Sequence, residues 1–132
     1  MAISRYSTLM STKEAQAEAL AIELARIGHD NKCEDVTVMD LRGLSSVTDF
    51  TVICTGTSDR QMSAVADRMT DYAETVKEKL YGSSGLDNST WILLDFVDVV
   101  VHIFAPAYRT YYDLELLWGD APRLEWQRPE TA

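Results

Sequence analysis

Apolar residues recur at helical spacing in two long stretches of the chain. The first follows a helix capping box at residues 11–14 (Ser-Thr-Lys-Glu) and ends at Gly28. The second follows another capping box at residues 58–61 (Ser-Asp-Arg-Gln) and continues to Leu80. Both patterns predict amphipathic helices that pack on a common core. A third helix is predicted from Pro106, because proline suits the first helical position.

The segments between these helices alternate as strands. Apolar and polar positions take turns in residues 36–41, and residues 48–55 form a second strand-like run. Residues 91–104 contain two β-branched and aromatic runs that meet at an acidic break, which predicts a hairpin. Residues 82–90 are rich in Gly and Ser and predict a flexible loop. The order helix, strand, strand, helix, strand, strand, helix predicts an α/β fold, with a mixed β-sheet packed with helices.

The hairpin at residues 91–104 has a predicted polar face. A loop at Phe96 and Val97 would set the pairing of its two runs. The pairs on one side are Asp95 with Asp98, Leu93 with Val100, and Trp91 with His102, while Ile92, Leu94, Val99, Val101 and Ile103 lie on the core side. Two carboxylates directly opposite each other destabilise a sheet unless water or a cation relieves the repulsion. Because a basic partner would supply that cation, this face is predicted to be a recognition surface.

Length and charge limit the classes of function. The 132 residues predict a single domain spanning 1–132, with a core at about 11–119 and a short tail at 120–132. The tail contains Trp126, and the sequence leaves open whether it docks on the domain or projects from it. Asp and Glu outnumber Lys and Arg by 21 to 12, a net charge of −9. Phosphate would repel such a surface, so direct recognition of nucleic acid is not expected.

The cysteines and the apolar segments indicate a cellular compartment. Cys33 and Cys54 have neither the number nor the spacing of a disulfide framework or a zinc site, which fits a reducing environment. No run of residues is apolar enough to span a bilayer, and the N-terminus lacks the long apolar region of a leader peptide. The chain is therefore expected to be soluble and cytoplasmic, without a membrane partner.

Four segments of the chain, taken in order, resemble the ribosomal silencing factor family, also called Iojap. They are residues 40–42 (Asp-Leu-Arg), residues 46–61, residues 91–104, and residues 109–118, which include Arg109, Tyr112, Glu115 and Trp118. No single segment is decisive, but four in the family's order make chance agreement improbable. Since the resemblance covers most of the chain, the chain is identified as a member of this family.

The resemblance implies a fold similar to that of nucleotidyltransferases and a function without catalysis or a cofactor. Factors of this family are expected to bind the large ribosomal subunit through a basic ribosomal protein, of the L fourteen class, on the face that joins the small subunit. They would block subunit association and silence translation by steric exclusion.

The predicted partner-binding residues lie on the hairpin face and on the third helix. They are Trp91, Asp95, Asp98, His102, Arg109, Tyr112 and Glu115. Trp91 and Tyr112 would be aromatic anchors, and the carboxylates would attract a basic partner. Alternatively, Arg109 reaches Asp95 or Asp98 and neutralises the pair internally, or the third helix covers the hairpin face. A symmetric homodimer through the same face also remains open.

An enzymatic alternative rests on residues 56–58 (Gly-Thr-Ser) ahead of the second helix, with Asp59, Asp95 and Asp98 as candidate metal ligands. This set would suit metal-dependent nucleotidyl transfer, in which carboxylates converge on ions about 4 Å apart. The turn lacks a nearby lysine of the P-loop type, so an ordinary strand-to-helix cap is favoured. His102 has no assigned nucleophile, and a packed or hydrogen-bonded residue is favoured over a general base.

Two features depart from the family pattern. Val97 stands where a loop glycine is usual, and because a β-branched residue resists positive φ, the turn type or the pairing of the hairpin is in doubt. Residues 86–89 (Leu-Asp-Asn-Ser) stand where a Glu-Gly pair is usual, which puts any contact of that pair in doubt.

Overall fold

The computed structural model describes residues 12–86, 90–111 and 118–129, without the side chains of Thr110 and Tyr111. These ranges contain three helices and five strands. They are α1 (Thr12–Asp30), β1 (Glu34–Asp40), β2 (Phe50–Thr55), α2 (Asp59–Thr75), β3 (Gly82–Ser84), β4 (Trp91–Asp95), β5 (Val99–Phe104) and α3 (Pro106–Tyr111). Within the same ranges, no helix has the length and apolar character needed to cross a membrane.

The five strands form one mixed sheet in the order β1-β2-β5-β4-β3. β2 and β5 run parallel at its centre, with Phe50 beside Val99 and Thr55 beside Phe104, and the other neighbours are antiparallel. A parallel pair needs a long crossover connection, and the chain between β2 and β5 contains α2. The predicted α/β class, with a mixed sheet packed with helices, is confirmed.

One face of the sheet packs against α1 and α2 and forms the main core. The strand residues buried there are Val38, Phe50, Val52, Cys54, Ile92, Leu94, Val99, Val101 and Ile103. The helices contribute stripes at helical spacing, which are Ala17, Leu20, Ala21 and Leu24 in α1 and Met62, Val65, Met69 and Ala73 in α2. The side of the hairpin predicted to face the core is therefore the side that does.

Ser58 begins α2, as the capping box predicts. Its Oγ accepts a hydrogen bond from the backbone N–H of Gln61 at 3.0 Å. The Gln61 side chain reaches one residue further back than in a standard capping box, and its Oε1 accepts from the N–H of Thr57 at 3.0 Å. These two bonds close the turn that leads from β2 into the helix.

The C-terminal tail docks along the outer edge of β1. The backbone N–H of Leu124 donates to the Val38 carbonyl at 2.9 Å, and the N–H of Asp40 donates to the Pro122 carbonyl at 2.8 Å. Trp126 follows and is only 8% exposed. The tail therefore pairs with backbone groups that an edge strand would leave open to other chains.

The pairing predicted for β4 and β5 is wrong by two residues. The observed pairs include Asp95 with Val100, Leu93 with His102, and Trp91 with Phe104. The turn lies one residue further along than predicted, at Val97 and Asp98, because Phe96 turns into the core, where it is 3% exposed, and its N–H donates to the Val99 carbonyl at 2.9 Å. A shift of two residues keeps each side chain on its original side of the sheet, so the polar and core faces are those predicted.

Residues 82–84 form a strand, contrary to the prediction of a flexible loop. β3 pairs antiparallel with β4, with Gly82 opposite Asp95 and Ser84 opposite Leu93. Its side chains are small, polar and largely exposed, so no alternation of apolar and polar residues marks it in the sequence. Residues 87–89 of the predicted loop lie outside the described residues.

Replacing Val97 with glycine is expected to stabilise the protein by about 0.5–1 kcal/mol. Val97 has φ = 75° in a three-residue turn closed by the Asp98 N–H and the Phe96 carbonyl at 3.0 Å. This conformation costs an L-residue about 1–2 kcal/mol, which exceeds the roughly 0.5–1 kcal/mol of extra entropy that glycine loses on folding. Urea unfolding at pH 7 measures the difference. Val97→Ala is the matched control, because it keeps the strain, and equal stability of the two variants would contradict this account.

Candidate functional site

An open groove of about 630 Å³ lies on the sheet face opposite α1 and α2. Its floor consists of alternate residues from three strands, which are Thr51 of β2, Val100 and His102 of β5, and Leu93 and Asp95 of β4. Its walls are the loop 41–48 together with Trp91 and Trp118. The lining is mostly apolar, with a few polar groups placed among the apolar ones. Such a surface is suited to binding another molecule.

The loop 41–48 holds two apolar side chains at the rim of the groove. Leu44 is 49% exposed and Val47 is 81% exposed. The backbone between them is ordered by local bonds, since the N–H groups of Leu44 and Ser45 both donate to the Leu41 carbonyl at 2.9 Å. The hydroxyl of Ser45 also accepts from the N–H of Val47 at 3.1 Å. Large apolar groups held in water beside an apolar groove mark a contact surface.

Arg42 ties the base of this loop to the domain. Its guanidinium forms a bidentate pair with Asp40 at 2.9 and 2.7 Å and lies 5.0 Å from the centre of the Phe50 ring. Glu14 and Glu18 of α1 lie 3.7 and 3.9 Å from the same group. Hydrogen bonding to Arg42 lowers the pKa of the Asp40 carboxyl, and Asp40 raises the pKa of Arg42. The wall of the groove is therefore anchored to both β1 and α1.

Trp91 and His102 form a hydrogen-bonded pair in the groove. The indole Nε1 of Trp91 donates to Nδ1 of His102 at 3.0 Å, and the indole stacks on Phe104 with ring centres 5.0 Å apart. Because Nδ1 is the acceptor, the neutral imidazole carries its hydrogen on Nε2. Burial lowers the pKa of His102 to about 4, so the imidazole is neutral at pH 7. The pair thus combines a flat aromatic surface with a neutral N–H group.

Asp95 and Asp98 do not form the predicted opposed pair, because the pairing of β4 and β5 is shifted. Asp95 lines the groove, and its Oδ1 accepts the backbone N–H of Val97 at 2.8 Å. The Asp98 carboxylate lies 3.6 Å from Nζ of Lys13, at the start of α1. Burial, and then the charge of Asp98, raise the pKa of the neighbouring Asp49 carboxyl. Asp95 is therefore the carboxylate that the groove presents.

Arg109 lies at the other end of β5 from these two aspartates. Its Nη1 donates to Oγ1 of Thr55 at 2.7 Å, where β2 ends. The alternative in which Arg109 neutralises Asp95 or Asp98 is wrong, because β5 separates them by roughly 17 Å at 3.3 Å per residue. The predicted binding residues Tyr112 and Glu115 lie outside the described residues.

The residues named for nucleotidyl transfer do not converge. The turn at residues 56–58 follows the C-terminal end of β2, whereas Asp95 and Asp98 flank the N-terminal end of the parallel strand β5. The Ser58 hydroxyl is bonded to Gln61, and a side chain at Gly56 would overlap Met62. In the ranges that the structure covers, no group of three or more His, Cys, Asp or Glu side chains could hold a metal ion. The turn has the geometry of a helix cap.

Sequence reasoning missed several groove residues, namely the loop 41–48, Thr51 and Trp118. Thr51 is 3% exposed, and its hydroxyl donates to the Val100 carbonyl at 3.0 Å, so nothing in its own strand pattern distinguishes it. Trp118 lies far along the chain and packs partly on the small cluster around Met39 and Phe104. The sequence feature that could have identified this wall of the groove is the pair of apolar residues Leu44 and Val47 within a Gly- and Ser-rich turn.

Comparisons with known proteins agree with one another. Residues 14–132 match the family model described as "Ribosomal silencing factor during starvation". The chain is 43% identical over 93 residues to the ribosomal silencing factor RsfS of Bacillus subtilis, covering 70% of this chain and 79% of that protein. It is 40% identical over 112 residues to the chloroplastic protein Iojap of Arabidopsis thaliana, covering 85% of this chain and 47% of that protein.

The fold is similar to solved structures as well. A crystal structure of a protein from Chromobacterium violaceum superposes with a TM-score of 0.71 at 35% sequence identity, covering 89% of this chain and 91% of that one. A protein from Bacillus halodurans gives a TM-score of 0.69 at 33% identity, covering 84% of this chain and 98% of that one.

Proposed function

Because the chain belongs to the ribosomal silencing factor family, as its four sequence segments predict, we propose that it binds a basic protein on the joining face of the large ribosomal subunit. Membership makes the chain a translation repressor that acts through the ribosome. The proposal adds the partner, a ribosomal protein of the L fourteen class, and the mechanism, which is a physical block to joining of the small subunit.

The observation that carries this proposal is the open groove on the second face of the sheet. A small domain gains stability by covering apolar sheet faces, yet this face keeps Trp91, Leu93 and Val100 accessible below the exposed Leu44 and Val47. Aromatic and aliphatic side chains around a concavity are typical of the energetic centre of protein interfaces. The groove is therefore suited to hold an apolar side chain of a protein partner.

Charge favours a basic protein as the partner. The chain has a net charge of −9, and Asp95 places one carboxylate inside the groove. Acidic surfaces accelerate association with basic partners and disfavour approach to exposed phosphate. An acidic factor would thus contact an RNA-rich particle through one of its proteins.

The size of the domain supports a steric mechanism. A compact domain of 132 residues has a radius of gyration of about 14 Å. Bound to a face that must meet the small subunit closely, a body of this size would hold the two subunits apart. No catalytic step is needed for repression of this kind.

Replacing Trp91 with alanine is expected to weaken binding to isolated large subunits about 30-fold, which corresponds to about 2 kcal/mol. The change removes the stacked indole and leaves the His102 Nδ1 without its donor. Co-sedimentation with separate large and small subunits, at low and at physiological salt, measures the effect. The matched control is Tyr81→Ala, which removes an aromatic side chain that is 78% exposed and does not line the groove.

Asp95→Lys in the same experiment tests the electrostatic part of the proposal. It should slow association and weaken its dependence on salt, because Lys would repel a basic partner in the groove while the chain as a whole stays acidic. Binding to the large subunit that neither Trp91→Ala nor Asp95→Lys weakens would place the contact elsewhere on the chain. Binding to neither subunit would refute the proposed partner, and a doubled mass in dilute solution, lost in Trp91→Ala, would assign the groove to a homodimer.

A further inference from the structure

The two cysteines of the chain lie together at the end of α1. A Cβ built on Gly28 would lie 2.9 Å from the Cys54 sulfur and 3.8 Å from the Cys33 Cβ, so both cysteines border the same space. Glu34 pairs with Thr55 across the antiparallel strands β1 and β2, so Cys33 and Cys54 are diagonal neighbours on either side of that pair. The two thiols are close enough for each to shift the pKa of the other. The space beside Gly28 brings the two side chains together, and a disulfide between them requires their Cα atoms to lie no more than about 7 Å apart.

The end of α1 explains how Cys33 reaches this position. Lys32 has φ = 77°, and its N–H donates to the His29 carbonyl at 3.1 Å, while the N–H of Cys33 donates to the Gly28 carbonyl at 2.9 Å. These two bonds form a Schellman motif, which directs the second residue beyond the helix back over its last turn. Because Gly28 has no side chain, the sulfur of Cys54 fits below Cys33.

The surroundings favour Cys33 as the nucleophile of the pair. Its sulfur accepts a hydrogen bond from Nε2 of Gln61 at 3.4 Å. Interaction with the Cys54 thiol, followed by the bond from Gln61, lowers the pKa of Cys33 despite its burial, whereas Cys54 has a raised pKa. Cys33 is 6% exposed between the exposed residues Lys32 and Glu34, so a small oxidant can reach it from solvent.

We propose that Cys33 and Cys54 are a modification site, at which hydrogen peroxide or a comparable two-electron oxidant forms a reversible intramolecular disulfide. The Cys33 thiolate attacks one peroxide oxygen, the O–O bond breaks, and water leaves with one proton, so that Cys33 becomes a sulfenic acid. The Cys54 sulfur then displaces hydroxide from that sulfur, and its thiol proton leaves with the hydroxide as a second water. Both cysteines are oxidised by one electron each, and peroxide is reduced to two water molecules.

The disulfide would link the end of α1 to the centre of the sheet. Cys54 belongs to β2, an interior strand of the sheet, and Cys33 belongs to the connection between α1 and β1. A bond between them closes a loop of about 20 residues, which restricts the unfolded chain and raises stability. The oxidised form is thus a thermally more stable form of the same fold, and this consequence does not depend on ribosome binding.

The test is brief exposure of the full-length reduced chain to a small excess of hydrogen peroxide. We expect a mass decrease of about 2 Da, a peptide map that joins residue 33 to residue 54, and full reversal by dithiothreitol. The melting temperature should rise by about 10 °C in the oxidised form. Peptide mapping distinguishes the disulfide from methionine sulfoxide at any of the five methionines, because sulfoxide formation adds mass.

Two variants assign the order of steps. Cys54→Ala should stop at the Cys33 sulfenic acid, about 16 Da heavier and trapped by dimedone, whereas Cys33→Ala should leave Cys54 unreacted. Oxidation of the wild-type chain to sulfinic acid without a 33–54 link would overturn the proposal, as would linkage only between separate chains. Because the wild-type result alone decides between these outcomes, the test stands even if a variant fails to fold.

Discussion

Replacing Trp126 with alanine is expected to destabilise the protein by about 3–5 kcal/mol. Trp126 belongs to the main core and is 8% exposed, and its ring lies 5.3 Å from that of the exposed His29. Its Nε1 donates to the Val36 carbonyl at 3.1 Å. Truncation would leave a cavity and an unpaired carbonyl in one step, and large aromatic-to-alanine changes of this kind fall in that range. Loss on this scale is a large fraction of the stability of a small domain.

Urea unfolding of wild type, Trp126→Ala and Trp126→Phe separates the two contributions. Phenylalanine keeps most of the packing but cannot donate to Val36, so it should cost only about 1–2 kcal/mol. Arg26 donates to the backbone carbonyl of residue 126 at 2.7 Å, a bond that both variants retain. A cost below about 1 kcal/mol for Trp126→Ala would show that the tail contributes little to folding.

Acidification from pH 7 to pH 4 is expected to remove about 3 kcal/mol of stability through His102 alone. The pKa of this group is about 4 in the folded chain against an ordinary value of 6.5, because burial disfavours the imidazolium. Between these two values the unfolded chain binds more protons than the folded one, so stability falls as the pH decreases through that window. Well above pH 6.5 the imidazole is neutral in both states and contributes no pH dependence. Protonation would also break the bond from the Trp91 indole to Nδ1.

His102→Gln isolates this contribution, because its amide oxygen can still accept from Trp91 and it does not titrate. Unfolding free energies measured at pH 7 and pH 4 should differ by about 3 kcal/mol more in wild type than in the variant. The comparison removes the effect of the carboxyls, including Asp95, the one other ionisable side chain in the described lining of the groove. Equal pH dependence in both proteins would mean that His102 is solvated like an exposed histidine.

The protonation state of His102 also affects the groove as a binding surface. At neutral pH the imidazole adds no charge beside Trp91, so Asp95 sets the sign of the field inside the groove. A cationic side chain from a partner would meet a carboxylate and an aromatic face there, which is a favourable combination. The pH experiment therefore tests whether His102 is neutral in the folded chain, and the subunit-binding experiment tests whether the groove around it contacts the partner.

Local patterns predicted much of the secondary structure. The capping box at residues 58–61 marked the start of α2 correctly, because the N-cap bond of Ser58 joins atoms only three residues apart. The alternation in residues 91–104 gave the correct faces, because the side-chain period of a strand is a local property. It did not give the pairing, since Phe96 enters the core and moves the turn one residue along the chain, and that burial depends on contacts outside the hairpin.

The sequence by itself determined the family, the α/β class, the acidic character of the chain, and the presence of Trp91, Asp95 and His102 on one sheet face. The tertiary structure decided what surrounds them. The parallel pairing of β2 with β5 places Thr51 in the floor, and the fold places loop 41–48 and Trp118 around it. It also separated Arg109 from the two aspartates and docked Trp126 against β1 and α1. Periodicity and capping report interactions over a few residues, whereas a groove and a docked tail depend on the burial of segments that are distant in sequence.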